Sequence, residues 1–434
     1  MKKIRVVFLV LAIFALFSQV QAQSDKPLAL VMTADGPIMP PMLEYFKRGI
    51  KTAEQRNAEV LIIELNTPGG SISTMSDMIE AIGKSTVPVV IYVAPNDAQA
   101  ASAGALITMA GHASSMAPRT VIGAASPIDS SGADIQTTLQ KKIKEDLKAK
   151  ARSLVGSRGK EATQLAESMI DDAKAVTANE ALQAKLIDFI SDDTEDLLQQ
   201  LDGFTVTTAA GKHTLNTKDI QTEPLGINFI ESFLLLITDP NIVFGLLSLG
   251  SMLILIEFSS PGGWVAGFFG ASFIALSVYG MGILPVNWFG AAFLVIAFVL
   301  FILDIKAATH GALTTAGVAS FVIGALVLFN SPGTPQFQRV SVPLVIAVGL
   351  VIGVLFFTVM VFALRAQKGR IQTGSESLSG KTGTAKTFDG DAGQVQVEAE
   401  LWSAEKSPDS ASISKGDKIE VVEVRGLRLI VKKK

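Results

Sequence analysis

The strongest constraint on this chain is a block of apolar stretches in its second half. Each stretch has about 16 to 23 residues, close to the length that a helix needs to cross a bilayer. A mean hydropathy of +0.42 agrees with several membrane spans. We predict five spans, at residues 242–257, 264–280, 288–303, 312–329 and 342–364.

A shorter apolar segment precedes the spans at residues 229–237. It carries Glu231, so we expect an interfacial or re-entrant helix rather than a span. Asp304 and Glu257 lie at span ends, where an interfacial position is a simpler explanation than a transport role. These elements together define a predicted membrane domain at residues 228–366.

The N-terminus has the three parts of a secretory signal. A basic start is followed by a short apolar core at residues 6–17, and Ala22 ends a small-x-small cleavage site. We expect residues 1–22 to be a signal peptide that is removed. The residues that follow are then expected on the extracytoplasmic side.

Basic residues support the orientation that follows from this signal. Five spans after an outer N-terminal domain place the C-terminus in the cytoplasm. Lys306 lies in a predicted inner loop, and the last span is followed by Arg365, Lys368 and Arg370, as the positive-inside rule requires. Arg339 lies in a predicted outer loop and is the exception.

Residues 23–222 alternate between strand-like and helix-like segments. Predicted strands lie at residues 28–32, 58–65, 87–93 and 121–124, with a hairpin at 204–215. Predicted helices lie at residues 39–57, 71–85 and 136–155, with a further helix and short strand at 177–190. The strands are apolar throughout, which is typical of a parallel sheet covered by helices on both faces.

The segment AASAGA, residues 100–105, lies between the third predicted strand and a helix-like stretch. Ser102 is expected at the helix start, where free N–H groups and the helix dipole stabilise a developing oxyanion. Its small neighbours leave room for a substrate backbone. The same position also suits a plain N-cap, so these residues alone leave both interpretations open.

The turn Thr67-Pro68-Gly69-Gly70 ends the preceding strand. Two glycines can turn their N–H groups into a cleft and form an oxyanion hole with the N–H of Ala103. Both segments are expected at the carboxyl edge of the sheet, where the sites of α/β proteins usually lie. The turn alone is also compatible with a purely structural role.

A serine nucleophile needs a base. His112 is too far from Ser102, because about ten residues of helix separate them by roughly 15 Å. Lysine can replace histidine when desolvation favours its neutral form. Helical periodicity does not choose among the lysines that follow, which are Lys141, Lys142, Lys144, Lys148 and Lys150. Of these, Lys150 lies nearest the centre of the expected buried stripe, formed by Ile135, Leu139, Ile143 and Leu147.

Composition excludes several kinds of site. The chain has no cysteine and only three histidines, which lie far apart. A thiol nucleophile, a disulfide and the common metal spacings are therefore excluded, and we expect neither metal nor cofactor. A net charge of −3 gives no reason to expect nucleic-acid binding.

The C-terminal part is polar and rich in strands again. Residues 367–379 are a predicted linker, and residues 380–434 carry predicted strands at 384–387, 394–401, 418–425 and 427–432. This pattern predicts a small β-barrel of OB type. Phe388 and Trp402 do not make a stacking platform for nucleic acid, so an interaction or structural role is the better interpretation.

Three blocks together resemble the membrane-bound serine proteases of the NfeD family: ELNTPGG, VPVVIYVAP and AASAGALITMAGHASSMAPRTVIGAASPI. The family belongs to the broader ClpP and SppA type of α/β fold. The resemblance covers essentially the whole chain, in the order of long-form members. It implies an α/β ClpP/crotonase-like protease domain at residues 23–222, an all-α multi-span membrane domain and a C-terminal β-barrel of OB type.

The resemblance also implies roles for single residues. The nucleophile of the family is the serine of the ASAG motif, here Ser102, and the oxyanion is bound by Gly69, Gly70 and the N–H of Ala103. ClpP itself carries a histidine near the position of residues 125–127. This chain has none there, which favours a Ser-Lys dyad.

The general base in the family is a lysine near the start of the helix that follows the GAxxPI strand. Counting back from the segment at residues 153–159 reaches Lys142. The loop before the helix differs from the family pattern, so Lys141 remains a second assignment.

These expectations combine into a serine endopeptidase that crosses the inner membrane several times, with the protease domain extracytoplasmic and the barrel cytoplasmic. By resemblance, it cleaves apolar segments of membrane-associated proteins, has a stomatin-like partner and forms a homodimer or larger homo-oligomer. The alternative is a non-catalytic scaffold for stomatin-like assemblies. A transporter is disfavoured, because the predicted spans carry no internal acid–base pair.

Topology gives a first testable prediction. Alkaline phosphatase, which is active only outside the cytoplasm, should be inactive when fused after Lys434, because five spans leave the C-terminus inside. The same enzyme fused after Pro224, ahead of the spans, is the control and should be active. An active fusion after Lys434 would contradict the five-span topology.

Overall fold

The computed structural model describes residues 26–127, 137–259, 263–307, 309, 311–331, 334–367 and 375–434. The predicted signal peptide at residues 1–22 lies outside the described residues, and so does most of the predicted linker.

The N-terminal domain is built from alternating strands and helices. Its strands are β1 (Leu28–Asp35), β2 (Val60–Asn66), β3 (Val89–Val93), β4 (Gln99–Ala101), β5 (Ala113–Met116), β6 (Val121–Gly123), β7 (Ala175–Thr177), β8 (Phe189–Ile190), β9 (Thr205–Thr208), β10 (Gly211–Thr214) and β11 (Gln221–Pro224). Its helices are α1 (Pro40–Gln55), α2 (Ile72–Lys84), α3 (Ala103–Ala110), α4 (Thr137–Val155), α5 (Lys160–Asp171), α6 (Ala178–Gln183) and α7 (Thr194–Leu201).

The central sheet is parallel throughout and has the strand order β11-β1-β2-β3-β5-β8. Its two faces belong to two separate apolar cores. On β2, Leu61 and Ile63 join the core that contains α1 to α5, whereas Val60 and Ile62 join the core that contains α7. The predicted α/β class, with a parallel sheet covered on both faces, is confirmed.

A second, smaller sheet has the order β4-β6-β7. It continues from the carboxyl edge of the central sheet, because Thr67 bridges to Ala100 of β4. The predicted hairpin is present as β9 and β10. Strands β4, β5, β7 and β11 and helices α5 and α7 were not predicted. In β5 the reason is clear, since the buried Ser114 and Ser115 make the strand look polar in sequence.

The predicted buried stripe of α4 is correct only in its second half. Leu147 is buried, but the side chain of Leu139 is 50% exposed, and Ile135 lies outside the described residues. Ala151 and Val155 continue the buried side of the helix instead. The first turns of α4 therefore contribute little to the core.

The membrane part is helical. Its elements are α8 (Phe229–Leu236), α9 (Pro240–Ser259), α10 (Val265–Ile283), α11 (Trp288–Ala307), α12 (Ala312–Phe329) and α13 (Val342–Gln367). Among the described residues, four stretches are long and apolar enough to cross a membrane: Pro240–Phe258, Val265–Ile283, Ala312–Phe329 and Gln336–Thr358. The apolar stretch of α11, Trp288–Asp304, is shorter, and the five-span topology stays a prediction.

Glycines let membrane helices approach each other closely. A Cβ built on Gly290 of α11 would lie 2.3 Å from the Leu328 nitrogen and 2.6 Å from the Gly324 oxygen of α12. The contacted atoms are backbone, which cannot rotate away as a side chain can. Small residues at such positions are a general device for packing helices in membranes.

The C-terminal strands β12 (Thr382–Asp389), β13 (Ala392–Val397), β14 (Glu400–Lys406), β15 (Lys418–Arg425) and β16 (Arg428–Lys433) close a barrel in the order β12-β13-β14-β16-β15. The predicted barrel is confirmed. The predicted strand at residues 394–401 is wrong in one respect, because the chain reverses at Glu398 and Ala399. Both have positive φ, of 49° and 69°, as a tight hairpin turn requires.

The packing of α11 against α12 leads to a stability prediction. Gly290→Ala should destabilise the protein by about 1–3 kcal/mol, because the added methyl group overpacks a backbone contact. Gly245→Ala on α9 is the matched control, since a Cβ there meets no atom within 4 Å. Thermal unfolding of the two purified variants in detergent measures the difference, and equal stabilities would contradict the close packing.

Candidate active site

Ser102 occupies a strained turn between a strand and a helix. Strand β4 ends directly before it and helix α3 begins directly after it. Its backbone has φ 54° and ψ −117°, a conformation that non-glycine residues rarely adopt. Such strain costs about 1–3 kcal/mol and is concentrated at functional sites. A strained strand–turn–helix connection is also how α/β hydrolases expose a nucleophilic serine.

The hydroxyl of Ser102 is not used to cap the helix. The residue stands at the N-cap position of α3, but its side chain makes no capping hydrogen bond. Its N–H donates to the Gly123 oxygen at 2.8 Å, which fixes the backbone. The plain N-cap interpretation is therefore wrong for the side chain.

The glycine turn packs directly against this serine. Gly69 has φ 108°, and a Cβ built on it would lie 2.6 Å from the Ser102 Cβ and 3.1 Å from its Oγ. A Cβ on Gly70 would lie 2.1 Å from the Ile38 oxygen. Both positions therefore need glycine, and the predicted proximity of the turn to Ser102 is present in the structure.

The N–H groups near Ser102 differ in availability. The Gly69 N–H donates to Thr67 Oγ1 at 3.1 Å, so in this structure it is already occupied. Within the described part of the chain, the N–H groups of Gly70 and Ala103 have no acceptor. An N–H at a helix start without an intrahelical partner is available to an anion.

Thr67 is a positioning residue that the sequence analysis did not single out. Its N–H donates to the Gln99 oxygen at 2.7 Å, and its oxygen accepts from the Ala101 N–H at 3.0 Å. A Cβ on Gly104 would lie 2.4 Å from the Thr67 Cγ2. Thr67 thus joins the glycine turn to the strand before Ser102, and the available signal was its place in the TPGG turn.

Three of the five lysines on α4 are engaged elsewhere. Lys144 Nζ donates to the backbone oxygen of Asp171 at 2.8 Å. Lys148 forms ion pairs with the carboxylates of Glu145 and Asp171. Lys150 Nζ lies 2.6 Å from Ser76 Oγ on α2. Lys150 therefore links α4 to the helix that follows the glycine turn.

Lys141 and Lys142 lie in the first turns of α4, and both are exposed. Neither Nζ has a hydrogen-bond or ion-pair partner among the residues that the structure describes. Residues 128–136, which precede this helix, lie outside the described residues. The structure thus brings the two glycines and Ala103 to Ser102, and records no contact between Ser102 and a lysine.

His112 has a structural role. Its Nδ1 accepts a hydrogen bond from the Val89 N–H at 3.0 Å, which fixes the neutral tautomer with the proton on Nε2. Burial lowers the pKa of His112 below its usual value. The ring therefore supports β3 and, as expected, is not a partner of Ser102.

Three known family domains match the N-terminal, membrane and C-terminal parts of the chain in turn. Residues 33–208 match the NfeD1b N-terminal domain, residues 241–362 the NfeD integral membrane domain, and residues 375–433 the NfeD-like C-terminal, partner-binding domain. The chain is 35% identical to the membrane-bound protease PH1510 of Pyrococcus horikoshii, over 94% of this chain and 93% of that protein. The chain belongs to the NfeD family.

This NfeD-family chain is a membrane protein, since its apolar helices fall in the matched integral membrane domain. It is also 24% identical to the membrane protein NfeD1b of Bacillus subtilis, over 95% of this chain and 94% of that protein. Among solved structures, it is similar to the 1510-N membrane protease specific for a stomatin homolog from Pyrococcus horikoshii. That likeness has 31% identity and a TM-score of 0.42, and covers 49% of this chain and 100% of the other.

The contact between Gly69 and Ser102 gives a prediction for a double-mutant cycle. Gly69→Ala should destabilise the protein more than Gly36→Ala, by about 1–3 kcal/mol. Gly36 is a matched control, because it also has a positive φ, of 124°, and a Cβ there meets no atom within 4 Å.

In a Ser102→Gly background the clash with the Ser102 Cβ is removed and only the Ala101 oxygen, at 3.3 Å, remains close, so the cost of Gly69→Ala should fall towards that of Gly36→Ala. Thermal unfolding of the purified variants measures the coupling between the two positions. An unchanged cost of Gly69→Ala in that background would disprove the contact.

Proposed function

We propose that the protein is a membrane-bound serine endopeptidase in which Ser102 is the nucleophile and Lys142 the general base. The observation that carries this proposal is the strained backbone of Ser102. Its hydroxyl is not used by helix α3, and two N–H groups without an acceptor among the described residues lie at the glycine turn and the helix start. The name of its Pyrococcus relative, a membrane-bound protease, supports the same reaction.

In this mechanism, the Ser102 hydroxyl attacks the carbonyl carbon of a peptide bond while the neutral amine of Lys142 accepts its proton. The N–H groups of Gly70 and Ala103 donate to the developing oxyanion. Gly69 contributes by its shape, since any side chain there would displace the nucleophile. Lys142 then protonates the leaving amine, and water hydrolyses the acyl-enzyme with Lys142 again as base.

The assignment of the base rests on the family resemblance and on the contacts of the other lysines. Lys144, Lys148 and Lys150 each bond a residue of α2, α4 or α5. Lys142 has no partner for its amine among the described residues, and it lies at the start of α4, in the position that the family pattern gives. Lys141 shares these properties and remains the second assignment.

Apolar segments of membrane-associated proteins are the proposed substrates. Ile72, which directly opens the helix after the glycine turn, and Leu139, close to Lys142 in sequence, are both exposed. Exposed apolar side chains beside a catalytic turn favour an apolar peptide over a charged one. The family resemblance adds a stomatin-like partner and assembly into a homodimer or larger homo-oligomer, and the partner-binding description of the C-terminal domain agrees with a partner.

The location proposed for this activity is the inner membrane. The N-terminal domain faces the extracytoplasmic side and the barrel faces the cytoplasm, as the signal peptide and the basic residues after the last span indicate. The spans then separate the site of cleavage from the barrel.

Cleavage of an apolar peptide by the full-length protein in detergent tests the dyad. Ser102→Ala should abolish cleavage, and Lys142→Ala should lower kcat/KM by about 10²–10⁴-fold, the usual contribution of general-base catalysis. Lys144→Ala is the matched control on the same helix and should keep its activity, because its amine bonds the Asp171 oxygen.

The variants that lose peptidase activity identify the base and distinguish the peptidase from the scaffold. A loss with Lys141→Ala but not with Lys142→Ala would move the base to Lys141. Full activity of Ser102→Ala would reject the peptidase. In that case the non-catalytic scaffold would be the better proposal, and Ser102→Ala should then also leave the function in the cell unchanged.

A further inference from the structure

Helix α8 presents an apolar surface that neither core of the N-terminal domain covers. Phe229 is 84% exposed and Ile230 67% exposed. Phe233 and Leu236 continue the same surface one and two turns later, and both are also exposed. The charged residue of the helix, Glu231, is buried. The apolar face of a helix that lies in a membrane surface is buried at the boundary between the headgroups and the acyl chains.

The position of α8 directly before an apolar span indicates what covers this surface. Residues 237–239 connect α8 directly to the membrane-spanning stretch that begins at Pro240. A Cβ on Gly280, near the end of α10, would lie 2.5 Å from the Ile237 oxygen. The end of α8 therefore packs beside the start of α9 and the end of α10, both of which are long and apolar enough to cross a membrane.

An ion pair attaches this helix to the N-terminal domain. Arg48 of α1 donates to both carboxylate oxygens of Glu231, from Nε at 2.6 Å and from Nη2 at 2.8 Å. The same Nη2 lies 2.7 Å from the Gly226 oxygen. The Glu231 side chain is 6% exposed, and a planar, bidentate pair of this kind fixes orientation as well as distance.

Two further contacts involve α1. Tyr45 in its first half donates its hydroxyl to the oxygen of Leu225, which directly follows β11, at 2.6 Å. The buried amide of Gln338, from the segment before α13, lies 3.9 Å from the sulfur of Met39, which directly precedes α1. The neighbouring Ile38 contacts the glycine turn, since its N–H donates to the Gly69 oxygen at 2.8 Å. Helix α1 thus runs between the membrane part and the turn beside Ser102.

We propose that α8 lies in the headgroup region of the bilayer, and that the Arg48–Glu231 pair clamps the N-terminal domain to it in one orientation. The occupant of the apolar surface is the lipid of the same membrane that the spans cross. Helix α1 transmits this orientation to the glycine turn, so the turn faces the membrane at a fixed height. The proposal concerns placement and does not depend on the proposed peptidase activity.

Depth measurements test the membrane position of α8. The chain has no cysteine, so Phe229→Cys and Phe233→Cys give single labelling sites in the full-length protein. In vesicles of phosphatidylcholine and phosphatidylglycerol, a fluorophore at either site should be quenched by lipid-borne nitroxides, at a depth of about 5–10 Å from the headgroup–acyl boundary. Leu182→Cys on α6 is the control and should be quenched by aqueous iodide instead. Iodide quenching at residues 229 and 233 equal to the control would overturn the proposal.

A spin-label distance between Leu182→Cys and Phe289→Cys tests the clamp, since it spans the N-terminal domain and the start of α11. The distribution should be narrow in the parent and broad in Arg48→Met. The matched control is Arg56→Met on the same helix, because Arg56 also makes a bidentate pair, with Glu223 at 2.7 Å. In that variant the distance distribution should stay narrow.

Removal of Arg48 alone leaves a buried carboxylate unpaired, which can unfold a protein. The double variant Arg48→Met/Glu231→Gln contains no such charge, and it should show the same broad distribution. A narrow distribution in this double variant would reject the clamp.

Discussion

The site depends on one close backbone contact, between the glycine turn at residues 67–70 and Ser102. There is no room for a Cβ at Gly69, because the Ser102 Cβ would lie 2.6 Å away. Thr67 joins the turn to β4 by two backbone hydrogen bonds. Ser102 directly follows this strand and has a strained backbone conformation. The strain is tolerated because hydrogen bonds on both sides hold the backbone.

The parallel sheet makes this contact possible. Strands β2 and β3 run side by side, so the segments that follow them emerge at the same edge. Both faces of the sheet are buried, each in its own apolar core. The close fit at the turn is therefore supported by two apolar cores.

Helix α1 connects this edge to the membrane part of the chain. It begins next to the glycine turn and carries Arg48 two turns later, where the guanidinium holds the buried Glu231. A buried carboxylate is costly unless it is paired, so the role that we propose for this ion pair is to fix one arrangement of the two parts. Under the two proposals, chemistry at Ser102 and placement on a bilayer depend on one connected set of contacts.

The sequence by itself determined the order of domains, the two-faced sheet, the apolar helices and the barrel, because these depend on local apolar patterns. It also placed Ser102 between a strand and a helix. Only the tertiary structure decided that the Gly69 N–H is occupied by Thr67, that Leu139 is exposed, and that Arg48 meets Glu231. Each of these depends on residues far apart in the chain, or on how far a helix extends beyond its core, and no periodicity in the sequence records such distances.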